Sequence, residues 1–491
     1  MIDVNLLTPP DTQQGATGFT NDEALTDLEV GALIEVMAAG DPYLGAIAQH
    51  YFVNAPVDPA VIRWRQAVVR DALEHPDLIR DLEAIARHGA ALERRSAYAL
   101  KPQPPISALL RSRELLSLLI ADLRSLAQRV AEPDATVTSK GLKLLLDAIS
   151  TNFTPEYLDR LDITLQELRF EHGLMARATL AAGNLTSHQL LLEGPFEGRG
   201  WRDRLRLARG DRNRIEIAPR DQAGSETLRE LRNQALVDIS GTTARGLGVV
   251  IDFFVRLGRE LAWLVGALNL HHRLQSLDLP LCFPEPTVNE GRLTFSTLVE
   301  PTLSLRTGQR PVANDLDAST RSNIVISGAN SGGKTTWLQS VALATLMMQA
   351  GLFVCADAFS ADVRTTLSTF FPRDEDRELE RGRLDDELLR LSQTVNALSE
   401  GALLLLNEPL SSTNEVEACA IATALVDDLR RRHITTIVVT HYPTLARSLA
   451  SDGTSLRPAV VDNGQRTYRI ELAAPPADSS AMDIYERLGG W

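Results

Sequence analysis

The fold of the carboxyl half of this chain is decided by one stretch, Ile324-Val325-Ile326-Ser327-Gly328-Ala329-Asn330-Ser331-Gly332-Gly333-Lys334-Thr335-Thr336. A short apolar strand leads into a glycine-rich turn of the form G-x-x-x-x-G-K-[ST], and a helix follows from Thr336. Glycines let backbone N–H groups approach phosphate oxygens, and the start of the helix adds positive potential. The stretch therefore predicts a P-loop that binds ATP. The alternative is a glycine-rich turn with a chance lysine.

The P-loop interpretation assigns a role to each residue of the turn. Lys334 is expected to bridge the β- and γ-phosphates, and the Thr335 hydroxyl is expected to coordinate Mg²⁺. The predicted nucleotide-binding residues are Gly328, Ala329, Asn330, Ser331, Gly332, Gly333, Lys334, Thr335 and Thr336.

Short, apolar, β-rich segments lie on both sides of this stretch. They span residues 323–327, 352–356, 402–406 and 434–439, and helical patterns separate them. Such alternation is typical of a mostly parallel sheet covered on both faces. Farther along, Asn463-Gly464 between β-prone runs predicts a hairpin over residues 459–470.

Polar residues follow two of these strands. Asn407 and Glu408 end the run that begins at Leu403, and Glu408 is the candidate to orient or deprotonate the attacking water. Asn407 is a predicted metal-side residue, but P-loop ATPases usually have Asp there. Because an amide contributes no negative charge, we expect weaker Mg²⁺ binding or slower hydrolysis. The alternative for both residues is an ordinary strand end with a helix cap.

His441 follows the next strand, within Thr440-His441-Tyr442-Pro443. A histidine at this edge can contact the γ-phosphate or the attacking water, so it is a predicted nucleotide sensor. The predicted catalytic residues are therefore Glu408, His441 and Lys334. The alternative for His441 is a purely structural side chain.

The chain has 491 residues, which predicts two or three domains. We expect a loose polar arm over residues 1–30, a helical domain over 31–280, and a P-loop ATPase domain over 281–491. The helical half shows amphipathic stretches at 62–73 and 109–130, and two long helical stretches at about 155–182 and 225–276. A short clamp-like β insertion is predicted near 185–224. The fold class is thus α plus α/β.

The net charge of −14 opposes contact with nucleic acid, except where basic residues concentrate. Basic residues concentrate over residues 199–214. This segment contains seven arginines and two aspartates, which gives a local charge of +5. Guanidinium groups suit backbone phosphates, and an indole can stack on an exposed base. The predicted DNA-binding residues are Arg199, Trp201, Arg202, Arg204, Arg206, Arg209, Arg212 and Arg214. The alternative is a solvated charged hairpin.

No stretch approaches the roughly 18 apolar residues of a membrane-spanning helix, and the N-terminus lacks the pattern of a secretory signal. Cys282, Cys355 and Cys419 are too far apart in sequence for a metal or redox motif. We therefore expect a cytoplasmic protein without membrane contact.

In their order, the motifs resemble the ATPase domain of the MutS family of DNA mismatch-repair proteins. The likeness is carried by residues 327–336, Asn407-Glu408, Ser411-Ser412-Thr413, Thr440-His441-Tyr442, Asp478-Ser479-Ser480-Ala481, Leu488-Gly489 and the adenine-side segment 311–315. The helical half is similar in plan to the family's core and lever domains. The resemblance implies an ATP-binding-cassette-like ATPase domain that uses ATP and Mg²⁺ in a homodimer, with a clamp on double-stranded or branched DNA.

Three departures from the family pattern affect this expectation. The chain resembles the family from its core onward, without the N-terminal mismatch-binding and connector domains. Gly382-Arg383-Leu384-Asp385-Asp386 stands where the family has Gly-x-Ser-Thr-Phe, which completes the partner subunit's ATP site. Pro311 stands where the family has an adenine-stacking aromatic.

Two other interpretations remain open. One is an ATP-switched scaffold that binds protein partners with little or no hydrolysis, motivated by Asn407 and the missing signature serine. The other is a P-loop kinase or transporter ATPase of another class, which fits the long helical half poorly.

Overall fold

A computed structural model of the chain describes residues 5–10, 12, 19–93, 104–132, 137–169, 176–180, 186–190, 222–288, 290–319, 323–328, 332–373, 383–460 and 466–476. The first compact unit contains the described residues of Arg80–Ala135 and Leu144–Leu261. The second contains those of Asn5–Ile79, Thr136–Lys143 and Ala262–Trp491.

The described helices are α1 (Asp22–Asp27), α2 (Val30–Ala38), α3 (Pro42–Val53), α4 (Pro59–Glu74), α5 (Pro76–Ala91), α6 (Pro105–Ala131), α7 (Lys140–Asn152), α8 (Pro155–Glu167), α9 (Gln222–Ser276), α10 (Pro301–Thr307), α11 (Lys334–Gln349), α12 (Arg383–Asn396), α13 (Glu415–Arg431) and α14 (Pro443–Ala450). The described strands are β1 (Ala176–Leu180), β2 (Thr186–Leu190), β3 (Glu285–Thr287), β4 (Arg292–Leu298), β5 (Asn314–Ser319), β6 (Ile324–Ser327), β7 (Ala358–Asp362), β8 (Leu367–Phe370), β9 (Leu403–Asn407), β10 (Thr435–Thr440), β11 (Thr454–Val460) and β12 (Arg466–Leu472).

A six-stranded sheet lies in the second unit, with the order β12-β11-β6-β10-β9-β8. All neighbours are parallel except β11 and β12, which form an antiparallel pair. The predicted mostly parallel sheet is therefore confirmed, as is the pairing of the predicted terminal hairpin. Strands β6, β9 and β10 are buried along their whole length, which explains their near-continuous apolar sequences.

A second sheet of four strands, with the order β3-β7-β4-β5, was not predicted. The strand predicted at 352–356 was wrong: these residues are buried, but only Val354 forms a bridge, to Cys282. The strand that follows is β7, at Ala358–Asp362. An apolar run indicates burial, whereas strand formation also requires a neighbouring strand, and here the residues that pair with β3 and β4 begin at Ala358.

The described residues near the N-terminus pack in the second unit, whereas a loose arm was predicted for residues 1–30. Leu6, Leu7 and Phe19 are buried, and Asn21 caps α1 through its side chain. The backbone N–H of Leu367 on β8 donates to the Phe19 carbonyl at 2.8 Å. The polar composition of this segment concealed a few apolar residues that are buried, of which Phe19 binds the edge strand through its carbonyl. The units thus differ from the predicted boundaries at residues 30 and 280.

The first unit is built from long helices and one hairpin. Helix α6 matches the predicted amphipathic stretch, and α9 spans 55 residues, of which those up to Leu261 belong to this unit. The helix predicted for about 155–182 ends at Glu167, and the prediction was wrong over Ala176–Leu180, which pairs with Thr186–Leu190 as antiparallel strands. Alanine and leucine favour a helix locally, and strand pairing overrides that preference here.

Candidate functional site

The glycine-rich turn joins β6 to α11 in the second unit. Gly328 has φ +142° and Gly333 has φ +86°, backbone conformations that side chains rarely allow. Gly333 is the N-cap of α11, so the first N–H groups of this helix lack intrahelical acceptors. A helix of 16 residues that begins in this way presents positive potential to an anion. Of the predicted turn residues, Ala329, Asn330 and Ser331 lie outside the described residues.

Lys334, the first residue of α11, points back across the turn. Its Nζ donates to the Gly328 carbonyl at 2.7 Å and lies 3.7 Å from Oε1 of Glu408. The side chain is only 4% exposed, and a buried ammonium requires such partners. The lysine is therefore placed at the start of the helix, where a bound phosphate would meet the positive potential.

Thr335 and Asn407 meet, as the sequence predicted for a metal-side pair. The Thr335 hydroxyl donates to Oδ1 of Asn407 at 3.3 Å, and Asn407 is buried at the end of β9. Hydroxyl and amide oxygens are hard ligands that suit Mg²⁺. In the described part of the chain, no group of three or more His, Cys, Asp or Glu residues could hold a metal ion. The Thr335 hydroxyl and the Asn407 amide oxygen would fit Mg²⁺ if phosphate oxygens and water supplied its other ligands. Thr336, another predicted nucleotide-binding residue, follows in the same helical turn.

Glu408 and His441 form the closest charged contact of the site. Oε2 of Glu408 accepts from Nδ1 of His441 at 2.6 Å and from the His441 backbone N–H at 2.9 Å. The hydrogen bond to Glu408 raises the pKa of His441, against an opposing effect of burial. The His441 side chain is 39% exposed, so it remains within reach of solvent or a ligand.

Sheet register brings these residues together. Ser327 lies opposite Thr440, and Val439 lies opposite Asn407, so β6, β10 and β9 end at the same edge. Carboxyl ends of adjacent parallel strands are the usual place for a ligand in an open α/β sheet. The structure therefore gathers the described members of the predicted nucleotide site at one edge.

Sequence reasoning missed Glu387 on α12. Its carboxylate accepts hydrogen bonds from the backbone N–H groups of Leu410 and Ser412 and from the Ser412 hydroxyl. The residue lies next to the segment that departs from the family signature, but no local pattern marks it as a ligand of another loop.

The predicted adenine-side segment leads into β5. Oδ1 of Asn314 accepts from the backbone N–H of Ile470 at 2.7 Å, which links β5 to β12. A cavity of about 430 Å³ lies between these strands, lined by residues 313–317 and 469–472 with Phe295.

The predicted DNA-binding residues, Arg199 to Arg214 with Trp201, lie outside the described residues, as do Gly382 and the segment from Asp478 onward. Among the helices that the structure describes, none combines the length and apolar character needed to cross a membrane.

Comparison with known families gives matches over most of the chain. A model of the MutS2 N-terminal domain matches residues 57–277, and a model of MutS domain V matches residues 324–470. Both models describe domains of MutS proteins, so the chain is MutS-related. The second match includes Gly328, Lys334, Asn407, Glu408 and His441, so these predicted site residues lie inside the region similar to MutS domain V.

Individual MutS relatives show the same relationship. The chain is 28% identical over 328 residues to a protein named Endonuclease MutS2 from Streptococcus pyogenes serotype M18, strain MGAS8232, covering 61% of this chain and 40% of that protein. The namesake of Streptococcus equi subsp. equi, strain 4047, is 32% identical over 246 residues, covering 47% and 30%. The namesake of Streptococcus sanguinis, strain SK36, is 27% identical over 371 residues, covering 69% and 45%. Each alignment therefore spans less than half of the relative.

Proposed function

We propose that this chain binds ATP with Mg²⁺ at the edge formed by β6, β10 and β9, and hydrolyses it. The observation that carries the proposal is the meeting of Lys334, Asn407, Glu408 and His441 at the start of one helix. The glycine turn and the α11 N-terminus would hold the phosphates, and Lys334 would neutralise their charge. Thr335 and Asn407 would hold Mg²⁺, which would supply charge neutralisation on the phosphate oxygens.

Glu408 is the group best placed to orient or deprotonate water, because it sits at the strand edge beyond the metal-side pair. Its two oxygens have different surroundings: Oε2 accepts from His441, while Oε1 faces Lys334 at 3.7 Å. A lysine that engages a phosphate would move its charge away from Oε1 and leave that oxygen available to a water. His441 would then report on the state of Glu408 through their shared hydrogen bond.

A second candidate is the ATP-switched scaffold with little hydrolysis. Asn407 favours it, because the amide at this metal-side position adds no negative charge. The two candidates share ATP binding and differ in turnover.

Turnover and affinity, measured on the same preparations, separate the two candidates. We expect wild type to bind ATP and hydrolyse it, and Glu408→Ala to retain affinity while the rate falls by about 10²-fold or more. Glu417→Ala, which removes an acid from the neighbouring helix α13, is the matched control and should behave as wild type. If wild type binds ATP tightly and shows no hydrolysis above that of Glu408→Ala, the result supports the scaffold function instead.

We further propose that the chain acts as a homodimer that binds double-stranded or branched DNA, with ATP switching its hold. The matches to MutS domains and the local charge of +5 over residues 199–214 support this proposal. Arginine contacts to phosphate would give binding that depends on salt and not on sequence.

Salt titration of DNA binding tests this part. The triple change of Arg202, Arg204 and Arg206 to Ala should weaken binding and reduce the slope of log affinity against log salt by up to about 3. A matched control removes three exposed arginines elsewhere, Arg306, Arg373 and Arg431, whose side chains are 60%, 63% and 72% exposed. Equal losses in both variants would indicate a net-charge effect, and no binding at low salt would refute DNA binding. Light scattering with and without ATP reports dimerisation in the same samples.

A further inference from the structure

The loop that carries Glu408 adopts an unusual backbone. Glu408 has φ +50° and Leu410 has φ +61°, so two residues with side chains lie in the left-handed region within three positions. Such conformations are disfavoured for L-residues and persist only where surrounding contacts hold them. The Glu408 N–H donates to the Val439 carbonyl at 2.8 Å, which fixes the start of the loop. Its continuation requires another restraint.

That restraint is the Glu387 carboxylate. Oε1 accepts from the Leu410 N–H at 2.7 Å, and Oε2 accepts from the Ser412 N–H at 3.3 Å and from the Ser412 hydroxyl. A carboxylate that accepts several N–H and O–H donors makes strong, directional hydrogen bonds. Both oxygens of one side chain are thus used to hold the loop just beyond Glu408.

Glu387 is itself fixed in position. Leu384 and Leu388, its neighbours on α12, pack against the hydrophobic cluster that contains Leu391 and the fully buried Leu410. The helix and the loop therefore share one core, and the carboxylate bridges them from the polar side. If the loop moved relative to α12, the hydrogen bonds to Glu387 would break and Leu410 would become exposed at the same time.

We infer that Glu387 is a positioning residue for Glu408: it holds the left-handed loop so that the Glu408 carboxylate stays against His441 and beside Lys334. This inference rests on the proposed role of Glu408 in ATP hydrolysis. Two other contacts hold the far end of the loop, the hydrogen bond from Thr413 Oγ1 to Glu417 at 2.5 Å and that from Tyr442 to the Thr413 carbonyl at 3.2 Å. Neither reaches Leu410.

The test compares Glu387→Ala and Glu387→Gln with Glu417→Gln, which removes a charge from the far end of the same loop. We expect Glu387→Ala to lower kcat for ATP hydrolysis at least about tenfold while the Kd for ATP stays within about twofold, because the phosphate-binding groups are untouched. Glu387→Gln retains one acceptor oxygen and should give an intermediate kcat. Glu417→Gln should match wild type.

A second readout needs no hydrolysis. NMR titration of the His441 imidazole in the nucleotide-free protein should show its apparent pKa falling toward the ordinary value in Glu387→Ala, and unchanged in Glu417→Gln. An unchanged kcat and an unchanged titration would refute the inference, and so would a loss of ATP affinity in step with kcat. If wild type hydrolyses no ATP, the proposed hydrolysis fails, and the titration alone decides whether Glu387 positions Glu408. If Glu387→Ala unfolds by circular dichroism, Glu387→Gln and Ser412→Ala decide by the same two readouts.

Discussion

Gly328→Ala is the change that most directly tests the geometry of the turn. At φ +142° the backbone of Gly328 is in a region that is almost closed to other residues. A Cβ at this position would also lie 2.9 Å from Cδ of Pro458, a ring atom on β11. A rigid ring attached to a strand cannot turn aside as the end of a flexible side chain can.

The expected cost has two independent parts. Backbone strain of this kind costs about 1–3 kcal/mol, and an overpacked contact costs about 1–3 kcal/mol, so we expect a loss of about 2–6 kcal/mol in the free energy of unfolding. The site should respond as well, because the Gly328 carbonyl accepts from Lys334 at 2.7 Å. A displaced carbonyl would misplace the lysine and weaken ATP binding.

Urea denaturation gives the loss in stability, and hydrogen exchange at residues 324–327 confirms that it arises in this unit. Gly308→Ala is the matched control, since Gly308 has φ +69° with open space around it, and it should lose only about 1–2 kcal/mol. Adding Pro458→Ala to Gly328→Ala should recover at least about 1 kcal/mol by removing the clash. A Gly328→Ala variant within about 0.5 kcal/mol of wild type would refute the reasoning, and no recovery with Pro458→Ala would refute the steric part.

Three further outcomes follow from the site. Lys334→Ala should weaken ATP binding about 10- to 100-fold in calorimetry, because a buried charged donor is lost; an unchanged Kd would place the lysine away from the phosphates. Asn407→Asp should lower the Mg²⁺ concentration at half-maximal ATPase rate, since it adds a carboxylate 3.3 Å from the position of the Thr335 hydroxyl; a rise would contradict the metal-side role. Glu408 raises the pKa of His441, so the stability from this pair is complete below the ordinary histidine pKa and is lost as pH rises through the raised value. Melting temperatures of wild type and His441→Ala should therefore converge as pH increases, and divergence would reverse the sign of the interaction.

Much of the candidate site could be predicted because parallel strands impose order. The apolar runs ending at Ser327, Asn407 and Thr440 indicated buried strands, and adjacent parallel strands end at one edge. The polar residues that follow those runs therefore lie close together at this edge, regardless of how the connecting helices are arranged. Their chemical roles are a separate matter, which the variants above address.

The elements that sequence reasoning missed depend on distant partners. Strands β3, β4, β5 and β7 pair across residues 285–362, and none has a long apolar run of its own. Strand β1 lies where a helix was predicted, and it forms because its residues pair with β2, which lies within the predicted β insertion. Local composition carries little information about such pairings.

The backbone of the loop after Asn407 was the hardest part of the candidate site to predict. A left-handed turn is normally indicated by Gly or Asn, yet Glu408 and Leu410 occupy this region, so the usual signal is absent. A glycine at position 408 would relieve the strain but would remove the carboxylate that contacts His441. The compensation then has to come from elsewhere in the chain, and Glu387, 21 positions before Glu408, provides it through α12. Local rules therefore fail at this loop because Glu408 and Leu410 are held in backbone conformations that their own side chains disfavour.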